Sequence, residues 1–470
     1  MPTYVGIGGA LHDTSIAALI DGQFRYRKSE RWFSEKHHGA KDEFYASTLK
    51  DWGVSRIDRQ CYTDRGRQGV SRKPYHGEEY VDEGKTTCLD HHIAHRYSTL
   101  DTVEQHAVFD GWGSGRNATR RYTGLRDIDG TVERFSVLGV GKFLAYLGRV
   151  LGFEGTEVDF PGKIMGLQAY GTADLELARQ INGDTILAFL EPWFYDRPSP
   201  RDPRFQDAVA TVHKACELIQ VKYFEAFDHT RPIACSGGVM LNTVINSQLR
   251  KRYTLSILPH VYDGGLSIGC LNWMVRDLQI PGFPFVQDDT APPDEPTDAT
   301  IENVAELLAR GKIVGWYQGH GEIGPRALGN RSILMSPTVK NGKDILNERV
   351  KKREWWRPFG ASVLKEKALT YFDSDDNPYM LYNSRVMVGG LDSITHIDGT
   401  CRHQTVTREQ THYYRLIEKF EERTGLPLLL NTSQNFGGRP ISSHPSQAYE
   451  LYENSGMDAL CCGNSLLSKG

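Results

Sequence analysis

Residues 315–334 read GWYQGHGEIGPRALGNRSIL, a buried strand that breaks into glycines, a proline and two arginines. Ile313, Val314 and Trp316 supply the β-branched and aromatic side chains of the strand. Beyond it, Gly319, Gly321, Gly324 and Gly329 let backbone N–H groups come close to a ligand, and Arg326 and Arg331 carry planar forks that match carboxylate or phosphate oxygens. The stretch reads as a strand delivering an anion-holding loop; a glycine-rich turn with two solvated arginines is the alternative. Just upstream, Ile301, Val304, Leu307 and Leu308 recur at helical spacing, and Gly311 supplies a stop before the strand. Before that helix, residues 286–298, VQDDTAPPDEPTD, concentrate proline and acid with a single aliphatic side chain of any size, a composition that stays extended rather than packing. The expectation is a domain over 1–285, a linker over 286–298 and a second domain over 299–470.

Composition bounds the rest. A chain of 470 residues is long enough for about two to three domains. Its hydrophobic content of 39% and charged content of 24% are those of a soluble globular protein, and a formal net charge of -4 offers no general attraction to nucleic acid or anionic membrane. Any anion site is therefore a local cluster. No apolar run of about 18 residues occurs, and the opening MPTYVGIGGALHD lacks the pattern of a signal peptide, so the expected location is cytoplasmic. The eight cysteines, Cys61, Cys88, Cys216, Cys235, Cys270, Cys401, Cys461 and Cys462, form no CxxC pair and read as reduced, buried small hydrophobes.

The first 285 residues open with TYVGIGGALHDTSIAALIDGQFRYRKSERW, which predicts two or three antiparallel strands with a turn at Asp21 and Gly22. Glycines at the tips of these strands resemble the phosphate-gripping hairpin of the actin-like ATPase fold. Strands are also expected in HAVFDG and RPIACSGG, with a helix over TVHKACELIQVKYFEAF between them, so the domain is α/β. Two nucleotide motifs fail on inspection. GTEVDFPGKI spaces its glycines wrongly for a P-loop and has Ile164 where a magnesium-binding hydroxyl belongs; GIGGAL lacks the third glycine of a dinucleotide fingerprint.

A metal set is the stronger candidate. In LDHHIAHRYSTL, His91 and His95 lie four residues apart, on one face of a helix and within reach of one cation. Asp110 ends the apolar run HAVFD and Asp263 sits in VYDGG, each at a strand end followed by glycine, where active-site carboxylates commonly lie. Two histidines and two aspartates form a mixed N/O set suited to Fe(II), Mn(II) or Zn(II); chance placement on a helix face and exposed Asp-Gly turns are the alternatives. His12, in the first turn, is a candidate general base or phosphate contact. Lys163 in PGKIMG, and Gly237, Gly238 and Asn242 in SGGVMLN, occupy glycine-flanked segments suited to nucleotide contact. In the C-terminal domain KKREWWRPFG brings Lys351, Lys352, Arg353 and Arg357 among aromatic residues, DGTCRHQTV brings Arg402 and Gln404, and LLLNTSQN puts Asn431, Thr432, Ser433 and Asn435 at the tip of an apolar strand. Together they predict an enclosed basic pocket for a phosphorylated substrate, with scattered surface charge as the alternative.

The ordered motifs GALHDTS, DHHIAH, FDGWG, GKIMGLQAYG, GGVMLNTVIN, YDGG, GWYQGHGEIGPRALGNRSIL, KKREWWRPF, DGTCRHQTV and LLNTSQN resemble, across nearly the whole chain, the NodU and tobramycin-type O-carbamoyltransferases. That family joins an actin-like, Kae-like ATPase domain to a YrdC-like α/β domain. The resemblance implies that carbamoyl phosphate is cleaved to carbamate and condensed with ATP to carbamoyladenylate in the YrdC-like domain. The first domain then transfers the carbamoyl group to a hydroxyl or amine of a small secondary metabolite, as in antibiotic or natural-product biosynthesis. It also implies a metal at His91, His95, Asp110 and Asp263, with Fe(II) expected ahead of Mn(II), Zn(II) or Mg(II), and a catalytic role for His12. Arg326, Arg357 and Arg402 match positions that hold carbamoyl phosphate or neutralise its leaving phosphate, and Lys351 and Ser433 match nucleotide contacts. Departures from the family pattern are His320 for arginine, Gln434 for phenylalanine, Arg439 for glutamate and Arg96 for a small residue.

Two other classes compete with this reading. A tRNA threonylcarbamoyl-modifying enzyme needs a broad basic face, which a net -4 chain without a long Lys/Arg run does not offer. A non-catalytic ATP-binding regulator leaves the second domain's arginines without a task. The expected partners are therefore carbamoyl phosphate, ATP and a small-molecule acceptor, with no nucleic acid and no membrane. Acceptor identity and oligomeric state stay open, a homodimer included.

Overall fold

A computed structural model describes residues 1–8, 12–39, 42–63, 79–82, 86–111, 123–135, 140–196, 198–287 and 292–469. Gly9, expected at a strand tip, the Trp112 and Gly113 that follow Asp110 and Gly111 in the sequence, and 288–291 of the expected linker lie outside the described residues. The chain forms two compact units, Met1–Phe33 with His37–Pro281 and Ser34–Lys36 with Gly282–Gly470. Each mixes strands and helices, so the fold is mixed α/β. All eight cysteines are free, and among the described residues no helix is long and apolar enough to cross a membrane.

The opening hairpin follows from its residues. Tyr4–Gly8 pairs antiparallel with Ser15–Ile20, which turns through Asp21 and Gly22 into Gln23–Lys28. Both turn residues have positive φ, 50° and 83°, the two-residue geometry that matches the twist of the flanking strands. Side-chain alternation then divides the first strand. Val5, with Ile16 and Ala18, packs on Phe44 and Tyr45. Gly6 and Gly8 face the helix Leu266–Val275 so closely that an added Cβ would fall 2.1 Å from Ser267 O and 2.3 Å from Ser267 N. Arg59–Thr63 and Thr86–Leu89 extend the sheet in parallel, and Glu79–Asp82 closes it as the sixth strand.

A second sheet of the first unit runs in the order Leu255–Ile257, Ile233–Ser236, Gln105–Phe109, Gly124–Ile128 and Thr131–Phe135, the first three parallel. Two helices bring the sheets together. His91–Ser98 leaves the first sheet just after Thr86–Leu89, and Leu266–Val275 crosses it where an added Cβ on Gly269 would lie 1.9 Å from Ala94 O. That contact sets the starts of both helices, and so His91, which opens the first, and Asp263, in the short turn Asp263–Gly265 leading into the second, beside the C-terminal ends of Gln105–Phe109 and Ile233–Ser236, the edge where open α/β sheets bind ligands.

The second unit is an eight-stranded sheet ordered Ser384–Arg385, Thr400–Val406, Gly360–Leu364, Leu428–Ser433, Arg331–Met335, Val314–Tyr317, Ala459–Cys462 and Ser465–Ser468. Asp298–Ala309 and Thr411–Thr424 cover one face, packing Ile301, Val304, Leu308, Ile417 and Phe420 on Trp316 and Leu429. Pro445–Glu453 lies on the other, with Ala448 and Leu451 in the core that holds Tyr317 and Ile333. Thr297 caps the first of these helices by accepting from Thr300 N, and Gly311, at φ 74°, follows its end. Gly282 onward belongs to this unit: Ile323 N donates to Pro284 O and Gln287 N to Gly321 O, each at 2.9 Å.

Candidate functional site

In the first unit, His91, His95, Asp110 and Asp263 converge, with one ligand atom from each lying within 4.8 Å of the others. Asp90 makes this possible by capping the helix: its carboxylate accepts from His92 N and Ile93 N, so the first turn forms and brings His91 edge-to-face with His95, ring centroids 4.9 Å apart. Asp110 is aimed by backbone amides. Its Oδ1 accepts from Gly111 N at 2.8 Å and Gly238 N at 3.3 Å, which turns Oδ2 toward His91 Nε2 at 3.1 Å. Gly237 is required there, since at φ 98° an added Cβ would sit 2.2 Å from Phe109 O. Asp263 Oδ1 lies 3.4 Å from His95 Nε2 and 3.6 Å from His91 Nε2. His95 Nδ1 meets Ser236 Oγ at 3.2 Å, and its buried Nε2 has no hydrogen-bond partner among the described residues.

Burial works against ionised carboxylates here, but the imidazoles overcome it. His91, His95 and His12 hold Asp263 well below the usual carboxylate range, and His91 lowers Asp110. His12 is about a third exposed; desolvation opposes its proton, yet Asp13, Asp263 and Asp110 push its pKa up to about 9. Asp13 is a residue that sequence reasoning passed over. Its Oδ2 lies 3.0 Å from His12 Nδ1 and 2.9 Å from His37 Nδ1, and its Oδ1 accepts from Lys28 Nζ at 2.9 Å. Lys28 also donates to Glu30 at 2.6 Å and to the Tyr262 hydroxyl at 2.5 Å. Asp13, Glu30 and His37 would otherwise suit a metal ion, and Lys28 fills the cluster with the chain's own cation. The signal was the Asp directly after His12; its partners, 15 and 24 residues away, were not visible.

Three residues expected at a nucleotide have internal work. Lys163 Nζ donates to Glu154 O at 2.7 Å. Asn242 caps the helix Thr243–Leu249 through Ile245 N and lies 3.0 Å from His213 Nε2. Gly238 supplies the amide that aims Asp110.

In the second unit the glycine-rich loop differs from its reading in two respects. The anion cradled by its amides is the chain's own Glu322, whose Oε1 accepts from Leu328 N at 2.7 Å, Arg331 N at 3.2 Å and Asn330 N at 3.4 Å. Arg331 is committed to the loop as well. Its guanidinium donates to Gln318 O, Asn330 O and Gly319 O and lies 3.6 Å over the Tyr317 ring, so it is a brace rather than a ligand fork. Arg326, Arg357 and Arg402 do gather. Burial depresses Arg326 and Arg402, and Arg357 depresses both further, with Arg402 adding to the effect on Arg326. Register puts Arg402 opposite Gly360, and the Asn347 side-chain amide donates to Arg357 O at 3.0 Å. Asn431 donates to Ala327 O at 3.2 Å and to Ser362 Oγ at 2.9 Å, tying the strand Leu428–Ser433 to the segment that carries Arg326. Lys351 Nζ is surrounded by Ser433 O, Ser433 Oγ, Asn435 O and Asn435 Oδ1 at 2.6–3.2 Å, which fixes the polar tip of that strand.

A model of the carbamoyltransferase C-terminus matches residues 305–469. The nodulation protein NolNO of Sinorhizobium fredii is 29% identical over 83% of this chain, which spans 65% of that protein's length. NolO of Bradyrhizobium diazoefficiens is 30% identical over 81% of this chain and 79% of its own, and the 3'-hydroxymethylcephem-O-carbamoyltransferase of Amycolatopsis lactamdurans is 31% identical over 97% of each. The chain belongs to the NodU-type carbamoyltransferase family. Among solved structures, component A of (R)-2-hydroxyglutaryl-CoA dehydratase from Acidaminococcus fermentans aligns at a TM-score of 0.38 and 11% identity, over 58% of this chain and 97% of that one. The residues expected to depart from the family pattern have definite places. His320 is exposed in the glycine-rich loop. Arg439 is exposed and pairs with Glu450 at 2.9 Å. Gln434 is buried, neither amide atom has a hydrogen-bond partner among the described residues, and its Nε2 is 3.1 Å from where a Cβ on Gly315 would stand. Arg96 is turned to Asp127 at 2.6 Å and lies over the Tyr97 ring.

Proposed function

We propose that this carbamoyltransferase works in two stages. Its second unit, read as a YrdC-like domain, hydrolyses carbamoyl phosphate to carbamate and inorganic phosphate and condenses the carbamate with ATP to carbamoyladenylate and pyrophosphate. Its first unit, read as an actin-like, Kae-like domain, passes the carbamoyl group to a hydroxyl of a small secondary metabolite. The observation that carries the reading is the convergence of His91, His95, Asp110 and Asp263 beside His12. The relative named for a 3'-hydroxymethylcephem supports a hydroxyl acceptor and a place in antibiotic biosynthesis.

The residues fit a divalent cation: His95 Nε2 is buried and makes no hydrogen bond among the described residues, lying 3.4 Å from Asp263 Oδ1, and two imidazoles with two carboxylates favour Fe(II), Mn(II) or Zn(II) over Mg(II). Bound there, such an ion supplies Lewis-acid polarisation of phosphate or carbonyl oxygens. The chain's own residues do the rest. Asp13 holds His12 through Nδ1, which leaves Nε2 to take the acceptor's proton as its oxygen attacks the carbamoyl carbon and AMP departs with the bonding electron pair. Because Asp110 and Asp263 help retain a proton on His12, neutralising those two charges readies it as a base. In the second unit Arg326, Arg357 and Arg402 hold the carbamoyl phosphate, and Lys351 shapes the Ser433 tip for nucleotide. Carbamate breaks down in water, so a basic site shut off from solvent protects the intermediate.

The test is a screen of hydroxyl-bearing acceptors, a 3'-hydroxymethylcephem among them, with isotope-labelled carbamoyl phosphate, ATP and Fe(II) or Mn(II). The expected result is one acceptor gaining a labelled carbamoyl group with stoichiometric AMP; no AMP under any condition contradicts the reading. His12→Ala is expected to slow transfer and leave carbamoyl-phosphate-dependent ATP–pyrophosphate exchange intact.

A further inference from the structure

Arg402 and Gln404 stand two apart on the strand Thr400–Val406, so their side chains share one face of the sheet. On that face Leu364, Val406 and Leu429 pack with Tyr413, yet Gln404 is a carboxamide, and it is buried. Burying such a group is unfavourable unless its polar atoms are paired, and both are. Its Nε2 donates to Leu328 O at 2.8 Å, while its Oε1 accepts from Ser362 Oγ at 2.8 Å and from Asn431 Nδ2 at 3.4 Å. Leu328 O can only accept, so the nitrogen lies on that side and the amide has one orientation. Leu328 is two residues beyond Arg326, and its backbone is held twice, since Glu322 Oε1 accepts from its N–H at 2.7 Å. A second carboxamide, Gln410, also donates to Leu328 O, at 3.0 Å, but it belongs to the start of the helix Thr411–Thr424 and not to the strand of Arg402.

The bond from Gln404 therefore links the backbone beneath Arg402 to the backbone that follows Arg326. Register supplies a brace behind it: Ser362 lies opposite Gln404 in the neighbouring strand, two residues along from the Gly360 that lies opposite Arg402. The two guanidiniums are near enough for Arg402 to depress Arg326. Like charges at that range push apart, whereas a small anion gripped by both forks needs them at one separation. We propose that Gln404 is a positioning residue for carbamoyl phosphate: it tethers the loop of Arg326 to the strand of Arg402 and holds the two forks at the separation that the substrate bridges. This assignment rests on the reading that Arg326 and Arg402 hold carbamoyl phosphate.

Carbamoyl-phosphate-dependent ATP–pyrophosphate exchange tests it without any acceptor, and Gln410 supplies the control. Gln404→Leu leaves Leu328 O bonded to Gln410, so the loop keeps its fold and loses only the tether to the strand. It is expected to raise the KM for carbamoyl phosphate about 10- to 100-fold, the scale of moving a binding group by about 1 Å, with the KM for ATP within about threefold of wild type. Ser362→Ala, which removes the brace alone, should move the same KM in the same direction by a smaller factor. Gln410→Leu takes an equivalent bond from the same carbonyl and should leave both KM values within about threefold of wild type. An unchanged KM for carbamoyl phosphate in Gln404→Leu and Ser362→Ala overturns the assignment. So does an equal effect of Gln410→Leu, or a rise in both KM values together with a lower melting temperature, either of which makes Gln404 a partner for Leu328 O and nothing more. A wild-type protein without exchange removes the parent reading and this one with it.

Discussion

Ser236 is the residue that decides how well His95 is aimed. Its hydroxyl lies 3.2 Å from His95 Nδ1 and 3.0 Å from Ser98 Oγ, so the imidazole is held by one nitrogen and presents the other to Asp263. Outer partners of this kind are worth about 10- to 100-fold in metal affinity. Ser236→Ala should therefore weaken Zn(II) binding by that factor in a competition titration against a chromogenic chelator, whereas His95→Ala should abolish tight binding; equal affinity for Ser236→Ala and wild type contradicts the arrangement. His213 carries a different consequence. Burial pushes its pKa down to about 4, outweighing the hydrogen bond with Asn242, so the folded protein keeps it neutral while the unfolded chain protonates it near pH 6.5. The sign follows: its stabilising contribution is complete above pH 6.5 and is lost as pH falls toward 4. The loss amounts to about 3 kcal/mol across that window. Urea unfolding as a function of pH should show His213→Gln losing about one proton's worth of that slope, and an unaltered slope contradicts a buried neutral imidazole.

The element that positions the metal-type cluster is the crossing of His91–Ser98 with Leu266–Val275, and it exists because Gly269 has no side chain. An added Cβ would lie 1.9 Å from the carbonyl oxygen of Ala94, the residue before His95. Gly269→Ala must push the helices apart, at a cost of about 1–3 kcal/mol or more. It should lower the melting temperature and weaken Zn(II) binding together; a stable variant with undiminished metal affinity contradicts the role given to the crossing. Elements of this kind explain what the sequence made legible. The hairpin through Asp21 and Gly22, the helix after Thr297 and the strand Val314–Tyr317 are written in local spacing and turn chemistry. The convergence of His91 with His95 needed only helical periodicity, and Asp110 needed only a strand end. Partners distant along the chain were hidden. Nothing local distinguishes Glu322 from a solvated acid, although it fills the amide cradle that the glycines advertised, and nothing local reveals that Arg331 or Lys351 spends its donors on protein carbonyls. Lys28 is the extreme case, a lysine in an edge strand whose ammonium neutralises Asp13 and Glu30 behind His12.

At the scale of the whole molecule the two units carry opposite chemistry. The first gathers carboxylates and imidazoles suited to a cation, and the second gathers guanidiniums suited to anions. A chain of net charge -4 keeps both only by local segregation, consistent with small charged substrates rather than a polyanion. The central claim is that adenylate formation belongs to the second unit and carbamoyl transfer to the first. Carbamoyl-phosphate-dependent ATP–pyrophosphate exchange, measured on wild type, Arg402→Ala and the double variant His91→Ala/His95→Ala, tests that division most directly. The account predicts exchange in the wild type, its retention in the histidine variant and its loss by about 100-fold or more in Arg402→Ala, the scale of removing a donor to developing charge. Exchange lost equally in both variants, or present in Arg402→Ala and absent in the histidine variant, would contradict it.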